Sequence, residues 1–153
     1  MEKIGSFYEQ GTNKIRSDLF NEFAERVAKS LAVVIENSNN KGPKEFRNGV
    51  SSTQLRRLFE EVKRYETLIK DDDENSWNEY LPYIKMIKSK VHYTVARAKR
   101  RCNERDDKYY DNLSFFISEG IELVNSVEEY HIFVSLFEAV YGYYYENRPD
   151  LKN

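Results

Sequence analysis

Apolar residues recur at intervals of three and four along most of this 153-residue chain, which is the spacing that places side chains on one face of an α-helix. Five segments show this spacing, and no segment shows the sustained alternation that is typical of a half-buried strand. None of the five helices could bury its apolar face alone, so they must pack against one another. The chain is therefore predicted to be an all-α, single-domain bundle of about five helices.

The first third of the chain is predicted to hold one helix between two polar segments. Residues 1–16 form a polar lead-in, and the first helix continues through Val34 until Asn37 opens a polar run. Residues 38–50 contain a Gly-Pro and an Asn-Gly pair, both of which favour turns, so a basic and mobile loop is expected there. One domain, 1–153, includes all of these segments.

Capping residues and one proline locate the later helices. Ser51 with Gln54 fits the spacing of a capping box at the start of the second helix, and Ser126 is the predicted cap of the fifth. Pro82 has no backbone N–H and is best tolerated in the first turn of a helix. It therefore predicts a short turn over residues 76–80 and a long third helix from about 82 to 104.

The third helix carries the strongest functional signal. Residues 85–105 hold eight basic residues and one acidic residue, a local charge of +7, although the whole chain has a net charge of −2. A helix that is merely solvated usually mixes charges to form pairs four residues apart, and this helix has almost no carboxylates of its own. We expect it to contact the phosphates of a nucleic acid, although a solvated face remains the alternative. The candidate residues are Lys85, Lys88, Lys90, Tyr93, Arg97, Lys99, Arg100 and Arg101.

The start of the second helix is another candidate anion site. Hydroxyl groups of residues 51–53 lie beside the free N–H groups of the helix terminus, and Arg56 and Arg57 follow within one turn. An ordinary helix cap explains the same residues. The basic residues of the preceding loop, Lys41 and Lys44 among them, favour phosphate.

The fifth helix is unusually rich in tyrosine. Tyr141, Tyr143, Tyr144 and Tyr145 point in more directions than one core-facing surface can bury. Either this helix lies at the centre of the bundle, or its outer rings, Tyr141, Tyr143 and Tyr145, contact another protein chain. Stacking on exposed bases is a third interpretation.

No motif in the sequence indicates an enzyme. His92 and His131 are the only two histidines, and no aspartate or glutamate lies at metal-ligand spacing around both of them, so no metal site and no histidine-based catalysis are expected. Cys102 is the single cysteine and lies on the core-facing side of its helix, where an inert thiol is expected. Glycine-rich phosphate loops are absent as well. We therefore predict no catalytic residue and no cofactor.

The composition also indicates the cellular setting. No run of the sequence approaches eighteen apolar residues, and the amino-terminal residues lack the apolar stretch of a signal peptide. A cytoplasmic protein that does not bind a membrane is expected.

Three blocks of the sequence, taken together and in order, resemble the signature segments of one family. They read STQLRRLF at 52–59, LPYIK at 81–85 with VHYTVAR at 91–97, and FVSLFEAVYGY at 133–143. On these blocks the chain resembles the small subunit of type III-A CRISPR effector (Csm) complexes, which act in antiviral defence. The resemblance covers about residues 50–147.

This resemblance implies a non-catalytic subunit that is present in several copies. Such a subunit lines the channel that holds the guide RNA and its target RNA, beside the backbone and large subunits. The positions that match the family's motifs are Gln54, Arg56, Lys85, Tyr93 and Arg97. Contact with phosphates rather than with base edges would suit an effector whose specificity comes from base pairing.

Two other classes of function remain open at this point. A helical adaptor could dock an acidic protein partner through the same basic helix. A DNA-binding regulator is the other alternative, although the sequence shows no compact helix-turn-helix with a tight glycine turn.

Overall fold

The computed structural model describes residues 1–36, 45–69 and 73–149. Most of these residues are helical, so the predicted helical bundle is confirmed. A π-helical turn, Leu19–Phe23, leads directly into the first α-helix. The elements in chain order are α1 (Ala24–Leu31), β1 (Ala32–Glu36), β2 (Glu45–Gly49), α2 (Ser52–Leu68), α3 (Glu74–Arg101), a 3₁₀ turn (Glu104–Asp106), α4 (Asp107–Leu123) and α5 (Val127–Asn147).

The tyrosine-rich helix α5 lies at the centre and contacts α1, α2 and α4. Its buried side chains are spread around more than half of its circumference, which explains why the sequence there shows no single apolar face. Tyr130 and Tyr144 are fully buried, and their hydroxyl groups donate to the carbonyl oxygens of Val62 and Val50, each at 2.6 Å. The core therefore contains tyrosine without leaving these two hydroxyl groups unpaired.

A two-stranded antiparallel hairpin replaces the end of the predicted first helix, so the expectation of no strand was wrong. Strands β1 and β2 pair with Ala32 opposite Gly49 and Val34 opposite Arg47. The β-branched residues at positions 33–35 favour an extended backbone, and α1 accordingly ends at Leu31. Strand β2 falls within the segment predicted as a mobile loop, whereas residues 37–44 lie outside the described part of the chain.

Gly49 fixes how the hairpin joins the helices. Its φ of +145° is a backbone conformation that side chains with a Cβ rarely adopt, and a Cβ there would overlap the backbone of Leu31 and Ala32. Only glycine allows the end of β2 to approach the end of α1 so closely. The strand end is thereby positioned next to the start of α2.

Helix α3 begins earlier than Pro82 indicated. It runs unbroken from Glu74 to Arg101 with Pro82 inside, and the predicted turn over residues 76–80 is absent. The side chain of Asp73 caps the helix by accepting a hydrogen bond from the N–H of Asn75 at 3.0 Å. Trp77 is buried against Tyr130, and this burial holds the first turns of the helix in place despite the proline.

The amino-terminal lead-in packs onto the bundle. Ile4 and Phe7 are buried, and the N–H of Ile4 donates to the Glu119 carboxylate in α4 at 2.6 Å. The guanidinium of Arg16 donates to the carbonyl oxygens of Ile4 and Ser6 at 2.7 and 3.0 Å. These bonds fold the segment back on itself and hold it against α4.

Helix α3 packs between α2 and α4. Its apolar residues recur at the helical spacing predicted for one face and point inward, with Ile84, Ile87, Val91, Val95 and Ala98 all buried. The basic side chains consequently divide into two sets, one facing α4 and one facing α2. This division determines which of them remain available to a partner.

Candidate nucleic-acid interface

The three lysines of α3 that face α4 are bound within the molecule. Lys85 donates from Nζ to the carbonyl oxygens of Ile121 and Val124, at 3.1 and 2.9 Å, where α4 ends. Lys88 pairs with Glu122, and Lys99 pairs with Asp111 at 2.8 Å. The helix has almost no carboxylates of its own, but its lysines on this side are paired because the acidic groups come from α4.

Lys90, on the side that faces α2, is paired as well. Its ammonium group contacts the carboxylate of Glu61, to which Arg64 is also close, at 3.4 Å. Burial alone would raise the pKa of Glu61, but the hydrogen bond and positive charge of Lys90, together with Arg64, outweigh it and lower the pKa. Lys90 is therefore a half-buried partner of α2 rather than a freely exposed cation.

Three exposed arginines lie close together near the carboxyl-terminal end of α3. Arg57 of α2 lines a small cavity of about 140 Å³ together with Arg97 and Arg101 of α3. Among the described residues, no aspartate or glutamate forms an ion pair with any of these three side chains. We call Arg57, Arg97 and Arg101 the arginine cluster; it is a positive surface that no carboxylate of the described residues neutralises through an ion pair.

Gln54, in the first turn of α2, also lines this cavity, and the α2 cap holds it. As predicted, the hydroxyl of Ser51 accepts a hydrogen bond from the N–H of Gln54, at 3.3 Å. The side-chain oxygen of Gln54 accepts from Tyr110 at 2.5 Å and from the Ser51 hydroxyl at 2.9 Å. These bonds orient Gln54 and leave its amide NH₂ group as the donor that it offers to a ligand.

Arg56 and Arg100, also predicted from the sequence, do not line this cavity. Arg56 forms an exposed pair with Glu60 at 3.6 Å, and Arg100 is exposed at the end of α3. Arg47 donates to the carbonyl oxygen of Glu146 at 2.6 Å, at the end of α5. Lys41 and Lys44 lie outside the described residues.

A larger cavity continues from the arginine cluster along α3. It measures about 410 Å³ and shares Arg57, Tyr93 and Thr94 with the smaller cavity. We call the two together the α2–α3 groove. The rest of the larger cavity is lined by Leu58, Glu61, Met86, Ser89 and Lys90.

The predicted interface tyrosines of α5 differ in exposure. Tyr141 stacks on Phe59, with ring centroids 5.4 Å apart, and Tyr143 donates from its hydroxyl to Asn21 at 2.8 Å. Tyr145 is 52% exposed, and the guanidinium of Arg148 lies 3.9 Å from its ring centroid. Tyr145 thus projects furthest from the bundle of the three.

The histidine and cysteine side chains of the third helix and its end contact polar neighbours rather than a metal-binding cluster of described residues. Within the described ranges, no group of three or more histidine, cysteine, aspartate or glutamate side chains could hold a metal ion. His92 lies between the hydroxyl groups of Ser114 and Ser118, at 3.3 and 3.4 Å. Burial raises the pKa of the Cys102 thiol, as does the nearby Asp107 carboxylate, so the thiol is poorly reactive at neutral pH.

Sequence reasoning identified the basic residues but not their partners. Glu61, Glu122 and Asp111 lie 29, 34 and 12 residues from the lysines that they bind. No local spacing connects such pairs, since they form only when α2 and α4 pack on either side of α3. Met86 could be placed outside the core from helical spacing, although its position in a groove could not.

None of the described helices is long and apolar enough to cross a membrane. Comparison with curated proteins and with solved structures gave no match. The family model Csm2 Type III-A, in contrast, matches residues 25–148, well over half of the chain. The chain therefore belongs to the Csm2 Type III-A family, and it is a structural small subunit of the type III-A CRISPR effector complex.

Proposed function

We propose that this subunit binds RNA through the α2–α3 groove, and that it contacts the phosphates of the guide RNA and target RNA without reading base edges. In this role it is a non-catalytic structural component in the cytoplasm. Its protein partners are the backbone and large subunits of the complex and further copies of itself. Tyr145, with Tyr141 and Tyr143 behind it, is the proposed contact with a neighbouring subunit.

The arginine cluster is the observation that carries this proposal. Arg57, Arg97 and Arg101 come from two helices, line one cavity and have no ion-pair partner among the described carboxylates. Guanidinium groups suit phosphates because they donate paired hydrogen bonds and keep their charge at any physiological pH. Three such groups side by side repel one another, and a bound polyanion relieves that repulsion.

The α4-facing lysines support a structural role instead. Lys88 and Lys99 already hold carboxylates, and Lys85 holds the end of α4. A phosphate would have to displace these partners. Lys90 and Arg56, which are paired, and the exposed Arg100 are expected to add to the positive field around the groove rather than to grip a phosphate directly.

A pair of double variants tests the proposal in the assembled complex. Arg97→Gln with Arg101→Gln removes two charges from the groove, and Lys88→Gln with Lys99→Gln removes two charges from the opposite side of the same helix. We expect the arginine variant to retain less target RNA and to reduce the slope of log affinity against log salt by about 1.4–1.8, since each of the two lost phosphate contacts contributes about 0.7–0.9. The lysine variant is the matched control.

Two outcomes would contradict the proposal. Equal loss of RNA in both variants would mean that total charge, and not the groove, determines binding. Unchanged RNA retention in the arginine variant, combined with loss of a protein subunit, would favour the adaptor that docks an acidic partner. If the groove binds RNA, short RNA should compete with the target RNA for it. If the groove docks an acidic protein, short RNA should not displace that protein.

A further inference from the structure

The α2–α3 groove has a second half that phosphate binding does not use. Beyond the arginine cluster its walls become apolar, with the buried Leu58 and with Met86 and Tyr93, which are 44% and 63% exposed. A surface that binds phosphates alone needs no exposed ring or thioether. An aromatic ring that is exposed beside arginines is typical of sites that take the base as well as the phosphate of a nucleotide.

The ring of Tyr93 lies where the two halves meet. It lines both cavities, and the guanidinium of Arg97 lies 5.6 Å from its centroid, with a hydrogen-bond distance of 3.5 Å between Nη1 and the tyrosine hydroxyl. Arg97 therefore holds the ring at the boundary of the groove. Tyr83, another exposed tyrosine of α3, is different because its ring stacks on Tyr65 at 6.4 Å.

Polar groups at the edge of the apolar half complete a site for a base. The hydroxyl-bearing residues Ser89 and Thr94 line it, and the Glu61–Lys90 pair lies at its far end. The volume of about 410 Å³ is within the range of pockets that hold small molecules. This half of the groove and the arginine cluster share Arg57, so the two adjoin each other. A base and its own phosphate are also close together, so one nucleotide could contact both halves.

We infer that the α2–α3 groove binds one unpaired nucleotide of the RNA, with the base against Tyr93 and Met86 and the adjacent phosphate on the arginine cluster. Paired bases stack on their neighbours within a duplex, so only an unpaired base offers its face to the ring. Stacking accepts any base, and the site therefore adds affinity without reading sequence. This inference rests on the proposed function and adds a ligand for the same groove.

The test uses the full-length protein with a short single-stranded RNA that carries 2-aminopurine at one internal position. The same strand hybridised to its complement is the second probe. Stacking on Tyr93 should quench the 2-aminopurine of the single strand on binding, whereas the duplex should bind without such a change. Tyr93→Ala should abolish the quenching and weaken single-strand binding by about 5- to 150-fold, which is the range expected for loss of one aromatic–base stack.

Two further variants make the result specific. Tyr93→Phe keeps the ring and should keep the quenching, and Tyr83→Ala removes an exposed ring of the same helix outside the groove and should bind as the unmodified protein does. Because Tyr93 is largely exposed, its alanine variant is expected to unfold at nearly the same temperature.

The two proposals fail in different ways. If Tyr93→Ala binds and quenches as the unmodified protein does, while Arg97→Gln with Arg101→Gln loses both probes, the base site is wrong and phosphate binding stands. If the arginine variant binds both probes normally, the RNA-binding proposal itself is overturned, and the base site with it. Equal affinity for both probes, without quenching, also overturns the base site.

Discussion

Lys85 lies within the most basic segment of the chain, yet its ammonium group hydrogen-bonds the carbonyl oxygens of Ile121 and Val124 at the end of α4. The last carbonyl groups of a helix have no partner within that helix, and the negative end of the helix dipole attracts a cation. Lys85 matches a family motif in sequence, and its position in the fold gives it a structural task. The residue pattern could not distinguish these roles, because the carbonyl groups lie 36 and 39 residues away.

Gly120 is a second residue whose role depends on a distant neighbour. A Cβ built at this position in α4 would overlap the ring of Phe133 in α5, which is fully buried. We expect Gly120→Ala to lower the free energy of unfolding by about 1–3 kcal/mol, as overpacking of a core usually does. Urea denaturation followed by circular dichroism would measure the change.

Gly142 provides the matched control for this substitution. It also lies within a helix, but beyond its chain neighbours and the adjacent backbone of its own helix no atom comes within 4 Å of the position where its Cβ would be. Gly142→Ala should therefore raise the free energy of unfolding, by up to about 1 kcal/mol, because alanine favours the helix. If both substitutions stabilised the protein, the close packing of α4 on α5 would be contradicted.

At the scale of elements, the sequence predicted the helices better than their ends. The caps at Ser51 and Ser126 and the buried face of α3 follow from local spacing, and all are confirmed. The hairpin does not follow, because Leu31 and Val34 continue the helical spacing of α1 while the adjacent β-branched residues favour a strand. Pairing with β2 decides between the two, and pairing is a tertiary property.

Pro82 offers a test of where α3 begins. It lies inside the helix, where the missing N–H removes a hydrogen bond, and its side chain is exposed. We expect Pro82→Ala to raise the free energy of unfolding by about 1–3 kcal/mol, since it restores that bond without disturbing the core. Thermal and urea denaturation would both report it. A neutral or destabilising effect would instead indicate a helix that starts at Pro82.

At the scale of the whole molecule, the lysines of α3 that face α4 are bound within the protein. Arg97 and Arg101, near the carboxyl-terminal end of the same helix, form no ion pair with a described carboxylate. The acidic partners come from α2 and α4, so neither the net charge of −2 nor the charge of any one segment reveals the arrangement. The sequence therefore indicated a basic helix correctly. It could not indicate which basic side chains of α3 are paired within the described part of the molecule and which, like Arg97 and Arg101, form no ion pair there.

These internal ion pairs make stability depend on acid. For Glu122 the hydrogen bond from Lys88 lowers the pKa, and for Glu61 the bond from Lys90 overcomes the effect of burial and lowers it too. In the unfolded chain these carboxyl groups have the ordinary glutamate pKa of 4.5, so they stabilise the fold fully above that pH. Stability should decline as the pH falls below it and through the lowered pKa values of the folded protein. Urea midpoints at about pH 7 and about pH 3 would measure the decline.

Glu61→Gln isolates one of these contributions. The variant should be less stable at neutral pH and should lose less stability on acidification, because the introduced amide does not titrate in that range. Glu60→Gln is the control, since its pair with Arg56 is exposed and such pairs contribute only about 0–1 kcal/mol. An unchanged acid response in Glu61→Gln would show that the Lys90 contact contributes little to the fold.

The one-sided exposure of guanidinium groups also has a kinetic consequence. A cluster of three arginines near one end of a helix, with no ion pair to a described carboxylate, makes the electric field of the body uneven, and that field rotates the body as it approaches a polyanion. Encounters would then begin with the groove already turned toward the strand. Incorporation of this subunit into a growing ribonucleoprotein should accordingly be fastest in dilute buffer, with the orientation chosen before the surfaces touch.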